Sequence, residues 1–146
     1  MMYFTGFTRF SSNIQIANNV TAEEKHSQLR DMLALVDEAE AVLTDKNRDL
    51  DDFGRLLDTT WRITRKTGSR ISTGSIDTLY EKAINAGALG GKLLEAGGGG
   101  FFVFYVQPEK KANLQKEMEI ILHVPFAFEN GGTRVIHYTP ETYSPV

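Results

Sequence analysis

The 146 residues contain no cysteine, which excludes a disulfide scaffold, a thiolate metal site and a cysteine nucleophile. No run of about 18 apolar residues occurs, so no helix is predicted to cross a membrane. Positive charge is not in surplus. Sixteen basic against 19 acidic residues leave a net charge of −3, which argues against nucleic-acid binding through a global positive field. The start, Met1 to Gly6, has neither a basic n-region nor a long apolar stretch. A secretory leader is therefore not predicted, and a cytoplasmic address is the expectation. Asn19-Val20-Thr21 then fits a glycosylation sequon by chance. What is present is ordinary for a globular chain, with 41% hydrophobic and 24% charged residues. The length fits a single domain over 1–146.

Periodicity lays out the elements. The first ten residues, rich in aromatics and threonine, read as a strand. A chain opening in mid-strand is expected of a piece of something longer. Thr21 with Glu24 makes a capping box, and Leu29, Met32, Leu33, Val36, Ala39 and Leu43 recur at helical spacing over roughly 21–45. Asp49 is placed to cap a second helix running to about Lys66, with Leu50, Phe53, Leu57 and Trp61 on one stripe. Residues 67–74 form the longest loop signal. Ser75 then opens a third helix carrying Ile76, Leu79, Tyr80 and Ala83, and Gly87 stands where a left-handed residue ends it.

Seven of the 13 glycines fall between Gly87 and Gly100. Leu93-Leu94 reads as a short strand and Gly97 to Gly100 as a turn. Phe101 to Val106 is apolar throughout, as expected of a strand buried on both faces. Pro108 suits the start of a helix with Leu114, Met118 and Ile121 inward. Phe126-Ala127-Phe128 and Val135 to Tyr138 flank Asn130-Gly131-Gly132 as a predicted hairpin. The order β-α-α-α-β-β-α-β-β predicts an α+β fold, an antiparallel sheet with helices packed on one face.

Each candidate site has a functional and a structural reading. Four consecutive glycines bring backbone N–H groups close to an anion, where a plain hairpin needs only two. Gly87 to Leu93 is not a Walker A loop: the spacing from Gly87 to Gly91-Lys92 is too short, Leu93 stands where a magnesium-binding hydroxyl belongs, and the helix precedes the motif. Arg62, Arg65, Lys66 and Arg70 form a basic cluster in an acidic chain. They fit either a phosphorylated ligand or the negative end of the second helix dipole. His26, His123 and His137 lack metal-ligand spacing. Asp49, Asp51 and Asp52 are explained by helix capping, and Trp61 by the core.

Gly87-Ala88-Leu89-Gly90-Gly91-Lys92-Leu93-Leu94-Glu95-Ala96-Gly97-Gly98-Gly99-Gly100-Phe101 resembles the third signature of the GHMP kinases, a superfamily that includes galactokinase, homoserine kinase and mevalonate kinase. The likeness extends to Tyr3 to Arg9, Phe53 to Leu57, Trp61, Ile71-Ser72, Ile76-Asp77, Leu79-Tyr80 and Val124 to Gly132. These stretches are most similar to the C-terminal domains of the heptose 7-phosphate kinases and fucokinases. The resemblance implies a ferredoxin-like α+β domain at the substrate side of an enzyme that moves the γ-phosphoryl of ATP onto a sugar hydroxyl. It implies ATP and Mg2+ bound mainly by an N-terminal domain, whose Gly-Leu-Gly-Ser-Ser loop does not occur here. The implied partners are that domain, in cis or in trans, and a sugar phosphate, with no nucleic acid and no membrane.

The resemblance places Lys92, Ala96, Gly97, Gly98 and Gly99 at the cleft wall and sets Arg65 and Ser72 near sugar or phosphate. It assigns no catalytic residue and no metal ligand to this chain, which is expected to be inactive alone. Glu95 departs from the family's glycine. If that glycine needs positive φ, glutamate costs on the order of 1 kcal/mol and brings a carboxylate toward anionic phosphates. Thr64 and Arg70 depart as well. The alternative expectation is a free-standing ferredoxin-like module that binds a ligand or regulates without catalysis.

Overall fold

The computed structural model describes residues 1–6, 22–66, 74–94 and 100–135. Its elements are β1 (Met2–Phe4), α1 (Ala22–Thr44), α2 (Asp51–Lys66), α3 (Gly74–Asn85), β2 (Ala88–Leu94), β3 (Phe101–Val106), α4 (Lys111–Glu117) and β4 (Leu122–Val124). The sheet is antiparallel with strand order β2-β3-β1-β4. The α+β class therefore stands. Among the described residues no helix is long and apolar enough to cross a membrane.

Local chemistry sets the helix ends. The Asp49 carboxylate accepts the Asp51 N–H at 2.9 Å, which caps α2 as its position predicts. Asp51 and Asp52 then place negative charge in the first turn. Gly87, at φ +108°, closes α3 in a conformation that costs an L side chain strain. The helix starts at Gly74, one residue before the predicted cap.

The core lies between the sheet and α3 and α4. Strand register puts Tyr3 opposite Phe102, Leu93 opposite Phe102 and Gly91 opposite Phe104, all on one face. Tyr80 of α3 packs its ring on Phe102 and Phe104 at 5.9 Å, and Trp61 of α2 meets Phe102 edge-on at 5.6 Å. Leu114 and Met118 close the same cluster. At the end of β1, the Thr5 N–H and hydroxyl both donate to the Gly100 carbonyl at 2.9 Å.

Beside this sandwich, α2 crosses the edge strand β2 at very short range. A Cβ built on Gly90 would stand 2.0 Å from the Gly54 carbonyl oxygen and 2.5 Å from the Asp58 nitrogen. A Cβ on Gly54 would meet Tyr105 at 2.7 Å and Leu89 at 2.9 Å. Two glycines thus face each other where helix and strand touch. α1 then packs on α2, and Arg48 pairs with Glu38 to brace the turn between them.

Two expectations are corrected. β3 is not buried on both faces: Phe102, Phe104 and Val106 are buried, whereas Phe101, Val103 and Tyr105 are half-buried, because α3 and α4 cover only one side. The hairpin after Pro125 does not form in the described residues. The sheet ends at β4, and residues 125–135 hold no strand. There the Glu129 carboxylate takes the Gly131 N–H at 2.7 Å and Arg134 at 3.7 Å, local bonds that compete with a ladder. Phe128 is left 91% exposed, so apolar alternation alone found no surface to bury. Ile136, His137 and Tyr138 lie outside the described residues.

One hydrogen-bonded node ties α2 to α3. The Tyr80 hydroxyl donates to Asp58 Oδ1 at 2.8 Å, and Arg62 Nε donates to Asp58 Oδ2 at 2.8 Å. Burial first, and the Asp58 hydrogen bond second, push the Tyr80 phenol well above its ordinary value. The fold thus favours the neutral phenol. Its stabilisation is complete below the unfolded tyrosine value of about 10 and is lost as pH climbs above it.

Two measurements check this packing. Gly90→Ala is expected to destabilise the domain by about 2 kcal/mol or more, because backbone rather than a movable side chain meets the new methyl; urea unfolding reads it. Tyr80→Phe is expected to shallow the loss of stability above about pH 10. It will not remove it, since burial also raises Tyr3 and Tyr105. An unchanged alkaline slope would refute the role given to Tyr80.

Candidate functional site

The glycine-rich connection between β2 and β3 follows from its two rims. β2 delivers Lys92 opposite Val103, on the strand side shared with Gly90 and Leu94. β3 begins one residue after Gly100, which sits at φ +92° and is held by Thr5. Thr5 is the only buried polar residue recorded among the described residues, and periodicity did not single it out. Its signal lay in the Tyr3 to Arg9 stretch, where a threonine follows the strand. Ala96, Gly97, Gly98, Gly99 and Ser72 lie outside the described residues, as do Glu95 and Arg70.

Lys92 is exposed and stands at the rim of an apolar groove of about 440 Å³. α1 contributes Leu29, Met32 and Val36, and α2 contributes Phe53, Leu57 and Thr60. Both helix stripes were legible in the sequence, but their failure to close on each other was not. The Thr60 hydroxyl turns back to the Leu56 carbonyl at 2.8 Å. A groove so lined offers almost no hydrogen bonds to a sugar, so Lys92 is its one strongly polar feature.

Arg65 sits elsewhere, in the last turn of α2. Its Nε lies 3.1 Å from Asp77 Oδ1 and its Nη1 3.9 Å from Glu81 Oε1, both on α3. Arg62 is bound to Asp58, which holds its guanidinium above the ordinary value. The described part of the basic cluster is thus neutralised by α2 and α3 carboxylates. The Arg65 pairs cross from α2 to α3, whereas the Arg62–Asp58 pair lies within α2. A phosphate reaching Arg65 would compete with Asp77. No hydrogen bond or ion pair joins Arg65 to Lys92 among the described residues.

His123 packs its ring at a tilt against Tyr3, with centroids 5.2 Å apart, and His26 lies exposed on α1. No group of three His, Asp or Glu side chains suited to a metal occurs among the described residues. Asp51 serves Gln107 and Tyr105 rather than an ion.

The chain matches the family model of the GHMP kinases C terminal over residues 32–120, well over half its length. It is 29% identical over 124 residues to D-glycero-alpha-D-manno-heptose 7-phosphate kinase of Campylobacter jejuni. That match covers 81% of this chain and 35% of the relative. Among solved structures it resembles L. major mevalonate kinase in complex with R-mevalonate, with a TM-score of 0.61 and 18% identity over 82% of this chain and 37% of that one. It also resembles mevalonate kinase from methicillin-resistant Staphylococcus aureus, with a TM-score of 0.56 and 20% identity over the same shares. At these identities the two structures speak for the fold alone. The chain spans about a third of the length of each relative.

Arg65→Met is expected to cost less than about 1 kcal/mol, since the side chains of the Arg65–Asp77 pair are each about one-third exposed and screened by water. Denaturant unfolding reads the difference. A loss above about 2 kcal/mol would make Arg65 a fastening residue of the fold rather than one free to exchange partners.

Proposed function

The chain belongs to the GHMP kinases, as their C-terminal domain, and from that premise we propose that it is the substrate-side domain of an ATP-dependent sugar-phosphate kinase. The reaction is transfer of the γ-phosphoryl group of ATP to a sugar hydroxyl, with a heptose 7-phosphate-like acceptor. The observation that carries this reading is the joint likeness of the Gly87 to Phe101 signature and of 124 residues of the chain to a heptose 7-phosphate kinase.

Phosphoryl transfer needs little covalent chemistry from a protein. It needs donors and cations placed where charge develops on the phosphoryl oxygens. In this chain Lys92 is the exposed cation beside the glycine connection, and it is assigned to an anionic oxygen of substrate or nucleotide. Ala96, Gly97, Gly98 and Gly99 are assigned to the same cleft wall by the family signature, where glycine lets backbone N–H groups approach an anion. Ser72 and Arg65 are assigned to the acceptor, with Arg65 exchanging Asp77 for phosphate. ATP and magnesium belong mainly to an ATP-binding half outside these residues. Among the described residues no group of three His, Asp or Glu side chains suited to a metal occurs. The reading places the protein in the cytoplasm, where ATP and sugar phosphates are found.

The test joins the chain to an ATP-binding half carrying Gly-Leu-Gly-Ser-Ser and measures ADP release with sugar phosphates. The chain alone is expected to be inactive and the joined protein active. Lys92→Met in the joined protein is expected to lower kcat/KM by about 10- to 100-fold, the loss of one charge-assisted hydrogen bond. Sugar-dependent turnover by the isolated chain would overturn the division of labour. A joined protein that folds yet turns over no sugar would overturn the kinase reading itself.

A further inference from the structure

α1 carries two apolar stripes, and the fold uses one. Met32, Leu35, Ala39 and Val42 turn inward and are partly or fully buried. Beside them run His26, Leu29, Leu33, Val36, Glu40 and Leu43, spaced alternately three and four residues apart. This is a coiled-coil seam, with Leu29 and Leu33 62% exposed, Val36 59% and Leu43 58%. The 23-residue helix is roughly 34 Å long, so the seam forms a continuous patch rather than scattered single residues.

We infer that this seam is the interface of an antiparallel dimer, in which α1 of one copy pairs with α1 of a second copy of the same chain. Charge decides both the partner and the direction. Arg30 follows Leu29 and Asp37 follows Val36, so both lie on the same flank of the seam. With a two-fold axis between Leu33 and Val36, the layers are Leu33 on Val36, Leu29 on Glu40 and His26 on Leu43. Arg30 of each copy then faces Asp37 of the other. Neither Arg30 nor Asp37 has an ion-pair partner among the described residues, whereas neighbouring Glu38 is held by Arg48.

A parallel pairing gains none of this. It would set Glu40 against Glu40 inside the seam and leave Asp37 opposite Met32, with no pairing of Arg30 and Asp37. Antiparallel, each Glu40 stands at a seam position where one polar residue fixes register. α1 and α2 already form an antiparallel pair, so two copies build a four-helix arrangement with closed two-fold symmetry. The groove beside Lys92 opens along the same side of α1 and is narrowed by the second copy's helix.

The test is the solution mass of the 146-residue chain over roughly 1–100 μM by sedimentation equilibrium, with circular dichroism to confirm helix content. The reading predicts a species of twice 16.3 kDa, and a monomer for L33E combined with V36E. Arg30→Asp alone and Asp37→Arg alone are each expected to weaken the dimer about tenfold or more, since symmetry counts each change twice. The two together are expected to restore it to within about threefold. These exposed swaps keep the proposal testable even if the seam variants unfold. A monomer across the whole range would overturn it, as would association that ignores the seam changes or a double swap that fails to restore it. The readout is mass, so it is independent of any kinase activity.

Discussion

The contact of Gly54 with Gly90 is the constraint on which the rest hangs. A helix normally packs on a strand through side chains, which keep the backbones well apart. Here neither partner has one at the crossing, and the Gly54 carbonyl lies where the Cβ of any other residue 90 would be. α2 is thereby held on the edge strand, and three consequences follow. Tyr80 of α3 can reach Asp58 of α2. Lys92, two residues beyond Gly90 and on the same side of the strand, emerges next to α2. α1, which packs on α2, comes to form the far wall of the groove that Lys92 borders. Altering the crossing would move the candidate cation and the helix pair together.

That constraint also gives the glycine signature a second meaning. Read as a motif, Gly87 to Gly100 is a run suited to anions. Read in the structure, its glycines have separate jobs. Gly87 ends a helix at positive φ, Gly90 admits α2, Gly91 leaves room for the Phe104 ring on the neighbouring strand, and Gly100 turns into β3 while Thr5 holds its carbonyl. At least four of the glycines are therefore required by the fold itself. The ligand-facing role proposed for the signature rests on Gly97, Gly98 and Gly99 together with Lys92, the glycines being those to which no such packing task is assigned.

Local signals in the sequence translated well where the chemistry is local. The Asp49 cap, the Phe53–Trp61 stripe and the stop at Gly87 depend on residues within a turn or two, and each is found where those rules put it. Non-local outcomes were less legible. Alternating Phe126 and Phe128 read as a strand, but a strand needs a neighbour, and the Glu129 side chain spends the local N–H in another way. The helical spacing of Leu29, Met32, Leu33 and Val36 marked an amphipathic helix correctly. It did not reveal that the apolar arc is wider than α2 can cover. The basic cluster was ambiguous for the same reason: Asp77 and Glu81 lie more than ten residues downstream of Arg65, and only the packing of α3 on α2 brings them within reach.

The two uses of α1 are compatible in physical terms. A phosphoryl-transfer site asks for donors converging on an anion, which the apolar stripe of α1 cannot supply. A helix seam asks for contiguous Leu and Val with charges on the flank, which the neighbourhood of the glycine connection cannot supply. The two proposed roles fall on different elements, with Lys92 toward the end of β2 and Leu29, Leu33 and Val36 on α1. Their meeting line is the groove, where one wall is α1 and the rim is Lys92. A second copy seated on α1 would lower the local dielectric around that lysine and strengthen its attraction for an anion. Assembly and ligand affinity are therefore expected to be coupled through a single side chain rather than through a change of fold.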